Sequence, residues 1–294
     1  MSVYQECAGS GSSLKNTGAN EQCLEGLTIR TAVAIPGFSF ATKADAKDKD
    51  KWDAAIAEKK IFPLFDVEEL ASANTEDTFF EGRSKQYRTA VGKKVSTYTS
   101  FLGLCSHNAL KAFHGKDVQL FEFTEDGALL AVNDTDGIKV KGQDVVLTIG
   151  KRVPATADRP PGTLVTISYK DFNQFEERGA ILRPENWGGI DLFGIFDVTI
   201  NQVSASSTSI KFTISDGCAG GGQNLDVFED GDIVVLDGTG AAQTVSFVAP
   251  DTDGVYEVTG TGFANGFTVG LDSVVTKAST SYESPSVLTV SGIV

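Results

Sequence analysis

The side chains best suited to chemistry in this chain lie around its two histidines. Cys105, His107 and His114 fall within ten residues, and a thiolate with two imidazoles is a possible set of zinc ligands. A structural zinc site usually adds a second matched pair of ligands, and none accompanies these three. A nucleophilic Cys105 activated by His107 is no better supported, because residues two apart on a strand or turn seldom face each other. The pattern is instead typical of a buried Cys105 with two surface histidines.

Two segments rich in aspartate and glycine resemble fragments of calcium loops. They are residues 133–137 (NDTDG) and 251–254 (DTDG). Both lack a third acid at the next alternate position and the glutamate that closes a twelve-residue calcium loop. Asp-Gly is also a common way to turn a β-hairpin. We therefore interpret both segments as hairpin turns.

The remaining polar patterns supply no site. Neighbouring acids such as Glu68 and Glu69 are typical of solvated loops, whereas a glycosidase needs two carboxylates across a cleft. Glycines 220–222 precede neither a lysine nor a predicted helix, unlike a phosphate-binding loop. The basic loop 151–162 lacks the interleaved aromatics of a nucleic-acid surface and is interpreted as a surface loop or a protein-contact arm. The sequence predicts no catalytic, cofactor-binding or metal-binding residue, no cofactor and no enzymatic activity.

Charge divides the chain into two parts. Residues 188–294 carry thirteen acids against only Lys211 and Lys277, and so hold −11 of the formal net charge of −14. The preceding residues are nearly balanced at −3. A segment this acidic is repelled by phosphate and by anionic lipid. We therefore expect a separate acidic domain, and no membrane partner, since no apolar run approaches the roughly 20 residues that span a bilayer.

The first part of the chain is predicted to be mostly β-strand. Thirty-one glycines and nineteen phenylalanines, with abundant Val and Thr, favour short strands joined by tight turns. Residues 75–101 are polar and β-prone. In 164–169, Val165, Ile167 and Tyr169 alternate with polar residues and should share one face. The other predicted strands are 118–123, 128–132, 138–140 and 145–149.

Two helices are predicted within that part. The first covers about residues 43–60, with Thr42 as its N-cap, an apolar stripe that includes Trp52, and an ion pair between Asp45 and Lys49. The second covers residues 107–114. It would be capped by Ser106 and ended by Gly115.

The acidic part shows clearer alternation. Phe196, Val198 and Ile200 alternate with polar residues, and several such short segments separated by turns predict a β-sandwich. Residues 251–256 have the Asp-x-Gly-x-Tyr form of a tyrosine corner centred on Tyr256. Val258 stands where an antibody domain has cysteine, so an immunoglobulin-like sandwich here would lack the usual disulfide.

The four cysteines, Cys7, Cys23, Cys105 and Cys218, are far apart and form no CxxC motif. Cys7 and Cys23 could close a small N-terminal loop. In a reducing compartment, however, we expect free thiols. Residues 1–26 are polar and rich in Gly and Ser, a composition that fits an extended arm and a frayed terminus equally well.

These features together resemble bacteriophage tail tube proteins that carry a C-terminal immunoglobulin-like domain. The matching features are the strand-rich core 118–169, the short packed helix 106–115, the long hairpin 151–162 and the appended acidic module. Residues 255–271 (VYEVTGTGFANGFTVGL) are also similar to immunoglobulin-like modules of phage structural proteins.

The resemblance implies three parts. They are an N-terminal arm with its first strand (1–40), a tail-tube-like β-sandwich or barrel with helices near 43–60 and 107–114 (41–187), and an acidic immunoglobulin-like β-sandwich (188–294).

The implied function is that of a self-assembling virion structural protein, the tail tube, forming stacked rings around a DNA channel. The implied partners are other copies of the chain and other virion proteins, with DNA passing without specific binding. The location would be the virion, assembled in the host cytoplasm. Two alternatives remain open: a capsid decoration or head–tail connector protein, and a carbohydrate-binding surface β module.

Overall fold

The computed structural model describes residues 7–8, 26–216, 222–277 and 280–293. The protein is mainly β, with 46% strand and 12% helix, which confirms the predicted class. The chain forms two compact units, Met1–Leu192 and Phe193–Val294. Nearly all of the predicted N-terminal arm lies outside the described residues. Within them, no helix is long and apolar enough to cross a membrane.

The first unit is built on one large antiparallel sheet. Its strands follow the order β1-β13-β9-β8-β11-β12-β7-β4, with β10 added to β9, and with β2 pairing both β8 and β3. Strands β5 and β6 form a separate two-stranded sheet. The strands are β1 (Cys7–Ala8), β2 (Thr28–Ala34), β3 (Ile61–Asp66), β4 (Glu69–Ser72), β5 (Thr78–Glu81), β6 (Gln86–Ala90), β7 (Val95–Ser100), β8 (Asp117–Thr124), β9 (Leu129–Asn133), β10 (Val140–Lys141), β11 (Gln143–Val153), β12 (Gly162–Tyr169) and β13 (Gly179–Leu182).

Strand β8 is buried on both faces because it lies between two apolar layers. Leu120 belongs to one cluster with residues of β7, β11 and β12. On the other face, Phe121 and Phe123 pack against Trp52, with ring centroids 5.1 and 5.3 Å apart. The Trp52 indole N–H donates to the Ala46 carbonyl at 2.9 Å, so this buried ring keeps its hydrogen bond.

The first predicted helix is in fact two. Helix α1 (Lys43–Lys47) ends at Asp48, and α2 (Lys49–Ala57) begins there, with the Asp48 side chain accepting from the Asp50 amide. Thr42 caps α1 as predicted, accepting from the Asp45 amide. The predicted Asp45–Lys49 ion pair is wrong. The break at Asp48 interrupts the four-residue spacing between these residues, and Lys49 pairs with Asp53 at 2.6 Å instead.

The second predicted helix begins earlier than expected. Helix α3 (Leu104–Leu110) continues as a 3-10 turn (Lys111–Phe113), and its N-cap is Gly103, which makes no side-chain cap bond. Ser106 therefore lies inside the helix and does not cap it. The start at Leu104 places His107 and Leu110, three residues apart, on the buried face. A further short helix, α4 (Gln174–Arg178), was not predicted.

The second unit is a sandwich of two sheets. The larger has the order β17-β18-β15-β14-β21-β20 and the smaller β16-β19-β22, and side chains from both form one apolar cluster. Only β14 and β21 pair in parallel among the described strands of this unit. The strands are β14 (Ile195–Ala205), β15 (Ser209–Asp216), β16 (Ile233–Leu236), β17 (Ser246–Val248), β18 (Val255–Thr259), β19 (Thr268–Leu271), β20 (Val275–Lys277), β21 (Thr280–Glu283) and β22 (Leu288–Thr289).

The predicted alternation in β14 holds for Val198 and Ile200, which are buried, whereas Phe196 at the start of the strand is half exposed.

The predicted tyrosine corner is wrong. The Tyr256 hydroxyl donates to the Leu225 carbonyl at 2.7 Å, 31 residues upstream, whereas a tyrosine corner bonds only a few residues upstream. Burial raises the pKa of Tyr256 to about 12.

Candidate assembly surface

A long antiparallel ribbon extends from the free edge of the large sheet. Strand β4 pairs with β7, and β5 pairs with β6. Backbone hydrogen bonds join the two ladders, from the Ala73 amide to the Val95 carbonyl at 2.8 Å and in both directions between Thr75 and Lys93. Residues 69–99 therefore form one continuous arm, which we call the ribbon. Its tip is the turn 82–85, closed by a 2.9 Å bond from the Gly82 amide to the Lys85 carbonyl.

A set of local contacts shapes the ribbon where it leaves the sheet. The Asp77 carboxylate accepts from the Gly92 amide at 2.6 Å and pairs with Arg88 at 3.1 Å. These two contacts, the amide first, hold the pKa of Asp77 below its usual value. A Cβ at Gly92 would lie 2.2 Å from the Thr75 carbonyl oxygen, so the close crossing of the two strands requires glycine.

The outer part of the ribbon carries exposed aromatic side chains. Every residue of β5 and β6 is exposed, with Phe79 at 53%, Phe80 at 61% and Tyr87 at 56%. Phe80 lies directly opposite Tyr87, so these two share one face, while Phe79 lies opposite Arg88 on the other. A two-stranded hairpin without a covered face is only marginally stable in water. Exposed apolar groups of this kind mark interaction surfaces.

Strand β4 gives the same region a free sheet edge. It ends the strand order of the large sheet, and all four of its residues are exposed. The outer side of such a strand offers backbone N–H and C=O groups to another chain. The exposed edge and the aromatic arm are therefore continuous with each other.

The predicted hairpin at 151–162 is present as the connection between β11 and β12, which pair antiparallel with an irregularity between Ile149 and Arg152. Its loop is fastened to neighbouring strands. Arg159 pairs with Glu69 of β4 at 2.8 Å and lies 5.7 Å from the centre of the Phe101 ring. The role of this hairpin in stacking remains a prediction.

Helix α3 packs at the base of that hairpin. His107 is only 2% exposed, and its Nδ1 lies 2.9 Å from the Thr163 hydroxyl. Burial, followed by the charges of Lys111 and Arg152, holds the pKa of His107 below its usual value. His114 is exposed, and its Nδ1 accepts from the Ile149 amide at 3.1 Å. The two histidines therefore make separate structural contacts to the hairpin strands.

The predicted environments of Cys105 and His107 are reversed. Cys105 is exposed and His107 is buried, because the register of α3 turns residues 107 and 110 inward. The expectation of free thiols is also wrong for Cys105, which is disulfide-bonded. The side chains of Cys7, Cys23 and Cys218 lie outside the described part of the chain.

The aspartates of the Asp-Gly turns bind their own backbone. Asp136 Oδ1 accepts from the amides of Ile138 and Lys139 at 2.9 Å. Asp251 Oδ1 accepts from the amides of Asp253 and Val255. In the described ranges, no group of three or more His, Cys, Asp or Glu side chains is placed to hold a metal ion.

A buried glutamate that was not predicted to have a role, Glu122, links three strands of the first unit. Glu122 on β8 accepts from the Tyr98 hydroxyl on β7 and from Gln143 Nε2 on β11 at 3.1 Å. Burial, followed by the charge of Glu122, raises the pKa of Tyr98 well above its usual value. These bonds join three strands inside the core. The only signal in the sequence was a glutamate between two phenylalanines.

The ribbon, with its exposed aromatics and its free edge, is thus the surface of the first unit best suited to bind another protein. No protein-family model matches this chain, and a search of curated proteins also finds no match.

Proposed function

We propose that the protein is a self-assembling virion structural protein, and specifically a tail tube subunit that forms stacked rings. The observation that carries the proposal is the ribbon, whose outer strands are exposed at every residue and bear Phe79, Phe80 and Tyr87. In a lone copy these rings lie in water. A neighbouring copy would cover them and supply the packed face that β5 and β6 lack.

The free energies of burial and of association favour a ring of copies over an isolated pair. Burying one large apolar side chain contributes about 1.5–3 kcal/mol, so three rings contribute several kcal/mol. Association costs about 4–15 kcal/mol in lost freedom. One ribbon contact is therefore weak. A closed ring, in which every copy both gives and receives a contact, has no unsatisfied ends.

The acidity of the second unit is compatible with a DNA conduit. Its two lysines are both paired with acids, Lys211 with Glu257 and Lys277 with Glu229 and Asp232. Cations free to contact phosphate are what give a protein salt-dependent affinity for DNA. A unit with few such cations would not retain DNA, as the tube role requires.

Assembly is tested by mutating the exposed rings. The triple variant Phe79→Ser, Phe80→Ser and Tyr87→Ser is expected to remain monomeric where the wild type forms rings or short tubes, because the apolar contact is lost. The measurements are negative-stain microscopy and sedimentation velocity on the full chain.

The matched control replaces three exposed valines of the second unit, Val203, Val248 and Val287, with serine. This control should assemble as the wild type does, and circular dichroism should show all three proteins folded. A wild-type chain that stays monomeric at high concentration would contradict the proposal. Tight binding on a glycan array by that monomer would favour the carbohydrate-binding alternative.

A further inference from the structure

A cleft of about 340 Å³ lies at the base of the ribbon, where the arm meets α4 and the loop before it. One wall comes from the two strands of the ribbon and includes Glu76 and Lys93. The other comes from residues about 100 positions later in the chain, Phe172 and Glu176. Phe172 is 41% exposed and gives the cleft an aromatic surface.

The cleft presents unpaired carboxylates. Glu76 and Glu176 are exposed, and neither forms an ion pair with any described residue. The other acid, Asp77, is already held by Arg88 and the Gly92 amide. Of the two lysines in the cleft, Lys94 lies 4.6 Å over the Tyr169 ring. Lys93 is exposed. Among the residues that line the cleft, two carboxylates, those of Glu76 and Glu176, are therefore available to a ligand against the single ammonium group of Lys93.

The tip of the ribbon has the complementary character. Arg83 and Lys85 lie in the turn 82–85 and are exposed, and neither has an ion-pair partner in the part of the chain that the structure describes. Phe80 and Tyr87 flank this turn on one face. The tip thus carries two cations beside two rings, together with Glu81, which accepts from Gln86 Nε2. The cleft carries two unpaired carboxylates beside one ring.

The tip cannot reach the cleft of its own chain. About five strand residues separate them, or roughly 16 Å at the rise of an extended strand. Both belong to the same hydrogen-bonded ladder, so the ribbon would have to fold back on itself and break those bonds. Contact between the two surfaces must therefore involve two copies.

We propose that the ribbon tip of one copy docks in the cleft of the next. Arg83 and Lys85 then meet Glu76 and Glu176, and the rings of Phe80 and Tyr87 approach Phe172. The contact uses two different surfaces of each copy, so it repeats head to tail and produces a ring or an open filament. This inference rests on the proposed function and names the two surfaces that the assembly joins.

Charge reversal tests the contact. The tip variant Arg83→Glu/Lys85→Glu and the cleft variant Glu76→Lys/Glu176→Lys each place like charges together. Each should raise the concentration needed for assembly by about tenfold or more. Mixed in equal amounts, the two variants should assemble again, because each tip then faces a cleft of opposite charge in the other variant. Sedimentation velocity measures all three samples.

The control variant Lys51→Glu/Lys116→Glu has the same change in net charge as the tip variant, at exposed sites away from the ribbon. It should assemble as the wild type does. If the wild type assembles and both ribbon variants also assemble normally, this contact is wrong while the proposed function stands. If the wild type never assembles, the proposed function itself fails. A ribbon that paired with another ribbon would be insensitive to the single variant Glu176→Lys, because Glu176 is the cleft carboxylate that lies outside the ribbon.

Zero-length carbodiimide cross-linking of the wild type gives a second measurement that does not depend on how the variants fold. Assembled protein should yield a link from Lys85 to Glu76 or Glu176, identified by mass spectrometry, and monomer should not. Assembled protein that gives neither link would overturn the docking of tip in cleft.

Discussion

Single residues in this protein often act through partners distant in sequence. His107 illustrates this, because its role follows from Thr163, 56 residues later, and not from the neighbouring Cys105. The same holds for Glu122, whose bonds to Tyr98 and Gln143 hold β7 and β11 to β8. From residue type alone, both would be interpreted as surface or catalytic groups. Their burial makes them structural.

His107 predicts a pH dependence of stability. Its pKa is lowered in the folded protein from the ordinary value of 6.5, so the unfolded chain binds the proton more readily. Stability should therefore fall as the pH drops below about 7 and through the lowered pKa. The measurement is the midpoint of thermal unfolding between pH 7.5 and pH 5.

The control for this prediction is His107→Gln, which should show a flatter dependence over the same range. Partly buried aspartates with lowered pKa values, such as Asp126 and Asp144, also make the folded protein less stable in acid. They do so only towards the carboxylate range near pH 4 and below. A variant that keeps the full wild-type slope above pH 5 would show that another group causes it.

At the scale of elements, a single side chain can determine where a helix is interrupted. The predicted helix over 43–60 is divided because Asp48 leaves helical geometry to cap α2. The sequence did not predict the arm because strands β4, β5 and β6 are exposed at every residue. They therefore carry no apolar alternation for a pattern to detect. Polar loops and exposed strands look alike in composition.

Gly92 should be essential to the ribbon but not to the fold. Gly92→Ala places a methyl group against the Thr75 carbonyl and should disturb the bonds between Thr75 and Lys93. We expect weaker assembly, with little change in the unfolding of the sheet core. The comparison is Gly103→Ala, where the added Cβ meets open space. Equal assembly of the two variants, by sedimentation, would contradict this role.

At the scale of the whole molecule, the two units have separate apolar cores. The second unit buries residues of both its sheets in one cluster, including Phe212, Tyr256 and Val269. The proposed assembly surfaces, the ribbon and its cleft, belong entirely to the first unit. Assembly should therefore be a property of the first unit.

Truncation tests this assignment. A chain ending at Leu192 is expected to retain assembly, and a chain of residues 193–294 is expected to fold but remain monomeric. Circular dichroism with thermal melts reports folding, and sedimentation velocity reports assembly, with the full chain as the reference. Assembly by residues 193–294 alone would move the interface to the acidic unit.

Much of the fold followed from local pattern. The strands predicted at 118–123, 128–132, 145–149 and 164–169 are present as β8, β9, β11 and β12. Val165 and Ile167 are buried on a shared face as their spacing predicted. Alternation is local: each strand shows its buried face within its own few residues.

The assembly surface depended on the tertiary structure. Pairing of β4 with β7 and of β5 with β6 makes one arm from four short segments. Helix α4 and the loop before it place Glu176 and Phe172 in the same cleft as Glu76. The amino-acid sequence determined that this is a β-rich chain with an acidic second half, because composition and alternation reside in neighbouring residues. Only long-range strand pairing decided which exposed side chains share a surface, since residues 100 positions apart have no local signal that joins them.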